Sequence, residues 1–140
     1  MVKLFNKPKI KYKKRRKYHY NLHEQVIYKT GIKLKSDKEK GYLKLKKDGT
    51  LIIRVGYSWD GATNPAIDSK NFMRGSLVHD ALYQLIREGI LNPNQRERAD
   101  KILYSICRQD GMNKIRAWWV LKGVRIGGKG AIKPDLLTAP

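Results

Sequence analysis

The fold is decided by residues 56–110, which read GYSWDGATNPAIDSKNFMRGSLVHDALYQLIREGILNPNQRERADKILYSICRQD. Across 72–88 the apolar residues recur at the spacing of one helix face. Gly89 ends that pattern, and Asn92-Pro93 opens a second one, because asparagine caps helices well and proline suits the first turn. The connection is short, so the pattern predicts two antiparallel neighbouring helices.

Strands are predicted before this pair of helices and a third helix after it. Residues 42–46 and 51–55 alternate around Asp48-Gly49, a pattern typical of a tight hairpin. Residues 26–28 and 32–35 predict two more strands. Asn113 can cap the third helix, which is expected to end at the glycines of 127–130 and to use as its apolar residues Ile115, Trp118, Trp119, Leu121 and Val124. The predicted class is α+β, with a small N-terminal antiparallel β-sheet built from hairpins followed by three α-helices.

The composition is strongly basic. The chain of 140 residues has 31 Lys and Arg against 12 Asp and Glu, a formal net charge of +19. This excess predicts attraction to polyanions such as DNA, anionic envelope polymers and lipid phosphates, or to an acidic protein partner. The longest apolar stretch, 117–121, is too short for a transmembrane segment, and no apolar run follows the basic start as in a secretory signal.

The single cysteine, Cys107, excludes an internal disulfide. It lies on the apolar stripe of the second helical pattern, which predicts a buried thiol. We therefore expect the protein to be made and folded in a reducing cytoplasm.

A basic arm is predicted at residues 1–20, followed by a single α+β domain at 21–140. The arm has nine Lys or Arg and no acid, with aromatic residues in between. Such a segment can contact phosphates and stack on bases, although a solvated tail has the same composition. The residues predicted to bind a polyanion are Lys9, Lys11, Lys13, Lys14, Arg15, Arg16 and Lys17.

His79 is the candidate catalytic base, and Asp100 is the residue expected to orient it. At about 100° per residue, His79 lies about 60° from Leu82 at the centre of the first apolar stripe, and Asp100 has the same offset from Leu103. On neighbouring helices the two side chains should meet within about 2.6–3.2 Å. A carboxylate that orients an imidazole and raises its basicity provides what a general base needs.

Other polar residues surround this pair. Tyr83 and Tyr104 follow His79 and Asp100 by four residues, so they are predicted to lie beside the pair and support it. Asp80 projects away from the helix-packing stripe, and with Asp60 it is a candidate ligand of a divalent metal, Ca or Zn. The cluster can equally be a buried polar knot that only holds two helices together. A cleft that reaches His79 would favour the reactive interpretation.

Three short motifs resemble the signature of an uncharacterised domain family found mainly in bacteriophages and prophages. They are WDGA at 59–62, HDALY at 79–83 and AD at 99–100. The resemblance covers about residues 41–127 and leaves the basic arm outside. It implies a phage source and an architecture, and no reaction.

A second resemblance is confined to the site. His79-Asp80, with Tyr83 four residues after the histidine and Asp100 on a neighbouring helix, is similar to the calcium-dependent secreted phospholipases. That resemblance implies that His79 activates water, Asp80 binds calcium and Asp100 orients His79. Those enzymes are rich in disulfides and have a glycine-rich calcium loop, and this chain has neither feature.

Two functions fit these features. The first is a phage-encoded accessory protein, associated with the virion or with lysis, whose His/Asp site hydrolyses a component of the host envelope. The second is a non-enzymatic phage structural or interaction protein whose basic arm binds DNA or an acidic partner. In either case the protein would be made in the host cytoplasm, and it could be incorporated into the virion.

Overall fold

A computed structural model describes residues 10–14, 20–61 and 69–131, with backbone alone at 13, 14 and 128–131. In this part of the chain, antiparallel strands in two small sheets precede three helices, which confirms the predicted α+β class. The strands are β1 (Tyr12–Lys14), β2 (Tyr20–Leu22), β3 (Val26–Lys29), β4 (Lys38–Lys40), β5 (Leu43–Leu45), β6 (Thr50–Ile53) and β7 (Ser58–Trp59). The helices are α1 (Lys70–Arg87), α2 (Arg96–Gln109) and α3 (Lys114–Ala131), with a short 3-10 turn at Pro93–Gln95.

The predicted hairpin is the centre of the larger sheet, whose strand order is β3-β6-β5-β4. Leu45 pairs with Leu51 across the turn, and Gly49 has a φ of 95°. A Cβ atom at position 49 would lie 2.6 Å from the carbonyl oxygen of Ile32, so the turn requires glycine for its conformation and for space. The leucines of β5 and β6 are buried beneath the helices, while the residues between them are partly exposed.

One predicted strand was wrong. Residues 32–35 are irregular, because the hydroxyl of Thr30 accepts the backbone N–H of Ile32 at 3.1 Å and Gly31 turns the chain with a φ of 77°. The edge strand is instead β4, whose residues are all exposed. A charged, fully exposed edge strand of this kind resists pairing with other chains.

Part of the predicted basic arm lies in the smaller sheet, whose order is β1-β2-β7. Tyr12 pairs with Leu22, and its ring lies 5.5 Å from that of Tyr20 and 6.0 Å from that of Trp59. The boundary drawn at residue 20 therefore runs through a sheet. Lys11 forms an exposed ion pair with Glu24 at 2.9 Å. Outside the described residues lie Lys9, Arg15, Arg16 and Lys17, and the side chains of Lys13 and Lys14, so polyanion binding by the arm remains a prediction.

Removal of residues 1–20 is expected to lower the melting temperature, because it deletes β1 and the buried Tyr20 together with their contacts to Trp59. Loss of a buried aromatic side chain typically costs about 3–5 kcal/mol. Thermal melts of the full chain and of a chain that starts at Asn21 test this. Equal melting temperatures would show that the arm is energetically separate from the sheet. Salt titration of duplex binding by the same two proteins tests the polyanion role, with a slope of about −0.9 per phosphate contact.

The helices follow the predicted order, with two corrections at α3. The backbone N–H of Arg116 donates to the Asn113 side chain at 2.8 Å, which confirms the predicted cap. The helix continues to Ala131 through the glycines that were expected to end it. Its buried side is built on Ala117, whereas Ile115, Trp118 and Trp119 are exposed rather than part of the core. None of the helices in the described ranges is long and apolar enough to cross a membrane.

The predicted burial of Cys107 is confirmed. It packs in a small cluster with Leu103 beneath Phe72. Burial raises the pKa of its thiol to about 12, with a smaller contribution from the charge of Asp110. The thiol therefore fills space between α1 and α2 and is a poor nucleophile at neutral pH.

Candidate active site

Helices α1 and α2 bring His79 and Asp100 into contact. The ring nitrogen Nε2 of His79 lies 2.8 Å from Oδ1 of Asp100, within the predicted distance. Asp100 is fully buried and His79 is 6% exposed. The contact predicted from matched helical offsets is confirmed.

Tyr83, one turn after His79, secures the same carboxylate. Its hydroxyl donates to Oδ1 of Asp100 at 2.5 Å, and its ring centroid lies 4.1 Å from that of His79. Burial and the Asp100 carboxylate both raise the pKa of Tyr83, so the hydroxyl stays protonated as a donor. Tyr104, also predicted beside the pair, packs instead against the small cluster that contains Phe72.

These contacts determine which ring nitrogen of His79 carries the hydrogen. An ionised carboxylate oxygen only accepts, so Nε2 of His79 carries the hydrogen in its bond to Asp100. In the neutral ring, Nδ1 is then free of hydrogen, and it lies 3.9 Å from Oδ1 of Asp80. Burial by itself would lower the pKa of His79, but the bonds and charges of Asp100 and Asp80 outweigh it and raise the pKa above its ordinary value of 6.5. His79 is therefore a strengthened base.

A cavity of about 640 Å³ reaches the histidine. The site is thus open to small molecules although His79 itself has little exposed area. The wall beside β7 is fixed by Trp59, whose indole N–H donates to the hydroxyl of Ser76 at 3.0 Å. Side chains from four elements line the cavity. They include Tyr57 and Trp59 in or beside β7, His79, Asp80, Tyr83 and Arg87 on α1, Leu103 on α2, and Arg116, Trp119 and Val124 on α3.

The two candidate metal ligands, Asp60 and Asp80, both line this cavity. Burial raises the pKa of Asp80, the nearby His79 opposes the rise, and the charge of Asp60 adds to it. Within 10–14, 20–61 and 69–131, no group of three His, Cys, Asp or Glu side chains could hold a metal. Binding of a divalent metal, Ca or Zn, by Asp60 and Asp80 remains a prediction.

The geometry can be set beside known proteins. The family described as "Protein of unknown function (DUF1353)" matches residues 37–124. The chain belongs to the DUF1353 family. The matched residues include all the site residues on α1 and α2, and an uncharacterised family is what the three short motifs implied. No curated protein and no solved structure gives a significant match.

Two arginines of this DUF1353 domain were not predicted from the sequence. Arg74 is buried and forms a two-pronged bond to Asp110, at 3.0 and 3.1 Å, that ties α1 to the end of α2. Arg96 lies near Tyr83 and tends to lower its pKa, while its Nη2 donates to the carbonyl of Arg125 on α3. Arginines occur throughout this basic chain, so no sequence signal separated these two from the others.

The participation of α3 was also missed. Arg116, Trp119 and Val124 line the cavity from the third helix, which the sequence analysis assigned only to the core. Val124 was recognised as apolar, but its position in the cavity wall opposite α1 depends on how the three helices pack. A pattern along one helix cannot report that arrangement.

Proposed function

We propose that this DUF1353 protein is a hydrolase in which His79, oriented by Asp100, is the general base that activates water. The observation that carries the proposal is the His79–Asp100 hydrogen bond of 2.8 Å at the edge of a 640 Å³ cavity. Tyr83 supports it by holding the same carboxylate oxygen. The pair supplies a fixed tautomer and a raised basicity, the two properties required of a catalytic imidazole.

The reaction follows from the position of Nδ1. A water molecule in the cavity gives a proton to Nδ1 of His79 as its oxygen attacks the carbonyl carbon of an ester. The tetrahedral intermediate collapses with cleavage of the bond to the leaving alkoxide, and the alkoxide takes the proton back from Nδ1. Asp100 keeps its hydrogen bond to Nε2 throughout and stabilises the imidazolium formed between the two transfers.

The substrate is expected to carry negative charge. Arg87 and Arg116 line the cavity on opposite helices, and the whole chain has a net charge of +19. The positive charge of the whole chain raises the local concentration of an anionic substrate, and the two arginines can contact it in a cavity that also contains the carboxylates of Asp60 and Asp80. An ester in an anionic component of a host envelope meets this requirement.

The biological setting is proposed from the motifs alone. WDGA, HDALY and AD resemble a family found mainly in phages and prophages, which supports a phage-encoded accessory protein associated with the virion or with lysis. Such a protein is made in the host cytoplasm and either acts at lysis or is packaged. Immunoblots of purified particles and of lysates would distinguish these two settings.

Burial favours a second candidate. Because Asp100 is fully buried and His79 is 6% exposed, the cluster also fits a polar knot in a non-enzymatic phage structural or interaction protein. In that case the basic arm would bind DNA or an acidic partner. The pair would then contribute to stability without reacting.

Replacement of His79 by asparagine is expected to abolish ester hydrolysis, with a fall of about 10²–10⁴-fold typical of a lost general base. The measurement is turnover of anionic p-nitrophenyl esters by the full chain. His23→Asn is the matched control, because His23 is exposed and is far from His79 in the sequence. Activity should rise with pH and level off above the ordinary His value of 6.5, because the neutral ring is the base and the pKa of His79 is raised.

The results separate the candidates. No turnover by the natural chain, with or without added Ca²⁺ or Zn²⁺, would reject the hydrolase and favour the knot. Equal turnover by His79→Asn would remove His79 from the reaction. Turnover that a chelator abolishes and Ca²⁺ restores, with loss in Asp80→Asn, would support the predicted metal.

A further inference from the structure

The outward face of α3 is apolar where a surface helix is normally polar. Its exposed fractions are 73% for Ile115, 45% for Trp118, 64% for Trp119 and 83% for Ile126. The opposite face, built on Ala117, packs on the rest of the domain. The helix therefore has one apolar side toward the core and a second toward solvent.

These exposed residues share one stripe. At about 100° per residue, Ile115, Trp119 and Ile126 fall within about 40° of one another, and Trp118 lies about 60° from Ile115 on the other side. The two indole rings contact edge to face, with centroids 5.1 Å apart. Such a stripe of aromatic and aliphatic side chains is long enough to lie flat on an apolar layer.

Cations lie within and beside the stripe, since at about 100° per residue Lys122 falls between Trp118 and Ile115. The 18 residues of α3 include five Lys or Arg and no Asp or Glu. Lys122 is exposed, and its Nζ lies 5.1 Å from the centroid of the Trp118 ring. The surface thus combines indole rings with ammonium groups that can reach phosphates beside them.

We propose that α3 is a membrane-docking face that binds an anionic lipid surface, with its axis parallel to the membrane. Indole rings suit the boundary between headgroups and acyl chains, and Lys and Arg beside them suit anionic headgroups. The charge decides against a second copy of this chain, because two α3 helices would bring the exposed Lys114 and Lys122 of each copy together with no acid on either helix. The exposed isoleucines decide against nucleic acid, which offers them no apolar layer.

Docking would also present the cavity to the lipid. Trp119 is exposed and lines the cavity together with Arg116 and Gly123 of the same helix. A membrane on the stripe therefore lies beside the cavity that holds His79. This step rests on the proposed function and makes an anionic lipid ester the substrate, whereas the docking itself does not depend on hydrolysis.

Vesicle binding tests the docking. The full chain is mixed with vesicles of phosphatidylcholine, or of equal parts phosphatidylcholine and phosphatidylglycerol, and the bound fraction is measured by sedimentation. We expect binding to the anionic vesicles and a blue shift of tryptophan emission. Trp118→Ala/Trp119→Ala should reduce the affinity by about tenfold or more. Lys122→Glu should reduce it more than Lys29→Glu, a matched charge reversal on exposed Lys29 of β3.

Each alternative result overturns the docking face. Binding that the double tryptophan variant retains would place the contact elsewhere. Equal losses of vesicle affinity in Lys122→Glu and Lys29→Glu would show that binding depends on net charge alone and not on the α3 face. Binding to DNA but not to vesicles would identify nucleic acid as the occupant of the face. A dimer in sedimentation equilibrium that becomes a monomer in the double tryptophan variant would identify a second copy of this chain. Hydrolysis assays on soluble esters with Trp118→Ala and Lys122→Glu, whose side chains do not line the cavity, keep the docking and the catalysis distinguishable.

Discussion

Asp100→Asn is expected to lower the free energy of unfolding by about 1.5–3 kcal/mol, the range for a hydrogen bond to a charged group. In the folded protein, Oδ1 of Asp100 accepts from both His79 and Tyr83. Asparagine retains one acceptor oxygen but loses the charge. It also places an NH₂ group near the position of Oδ2, a buried atom with no partner among the described residues. The new donors would then be buried and unsatisfied. Chemical denaturation of the two proteins gives the difference.

The loss should depend on pH in a defined direction. The raised pKa of His79 means that the folded state holds its proton more tightly than the unfolded state. The resulting stabilisation is fully present below 6.5, the ordinary value, and disappears as the pH rises through the folded value. Asp100→Asn removes the partner, so its cost should be largest at low pH and smaller at high pH. NMR titration of the His79 ring should show a lower pKa in the variant.

Asp80→Asn is the matched control, because its side chain is 31% exposed and its Oδ1 lies 3.9 Å from the other ring nitrogen, Nδ1. A smaller loss of stability is expected there. If both variants unfold like the natural protein, the pair neither holds the helices nor orients the imidazole. The hydrolase and the polar knot would then both lose their basis.

The His79–Asp100 contact was predictable because it depends on local periodicity and a short connection. Each residue lies at the edge of an apolar stripe, and the short connection capped by Asn92 places the second helix beside the first. The hairpin at Asp48-Gly49 was predictable for a similar reason, since its turn chemistry is local. Both features depend on residues that are close together in the sequence.

The features that were missed depend on distant residues. Ile115 and Trp119 look like core residues along the chain, yet the face that α3 presents to α2 is set by small Ala117. Tyr12 belongs to a strand only because Tyr20 and Trp59 provide rings for it to contact. Such pairings join segments that are well separated in sequence, and charge or periodicity within one segment does not reveal them.

Gly75→Val is expected to destabilise the protein and to separate His79 from Asp100. A Cβ atom at Gly75 would lie 2.9 Å from Cδ1 of Leu103, 3.1 Å from Sγ of Cys107 and 3.3 Å from the Leu103 carbonyl oxygen. The isopropyl group of valine extends further, so the side chains of Leu103 and Cys107 must shift, and we expect α2 to move away from α1 because both are buried. Overpacking of this kind typically costs about 1–3 kcal/mol. Because Gly75 lies one turn before His79 on the same helix, the displacement should also lengthen the 2.8 Å contact.

Gly123→Ala provides the matched control, because a Cβ atom there would have no neighbour within 4 Å. In that open helical position alanine should stabilise by up to about 1 kcal/mol through helix propensity. Combining Gly75→Val with Leu103→Ala completes a double-mutant cycle, in which the smaller side chain should recover part of the loss. Denaturation gives the energies and His79 NMR reports the contact. Additive costs, or an unchanged His79 resonance in Gly75→Val, would show that the close approach of α1 and α2 at this glycine does not position the His79–Asp100 pair.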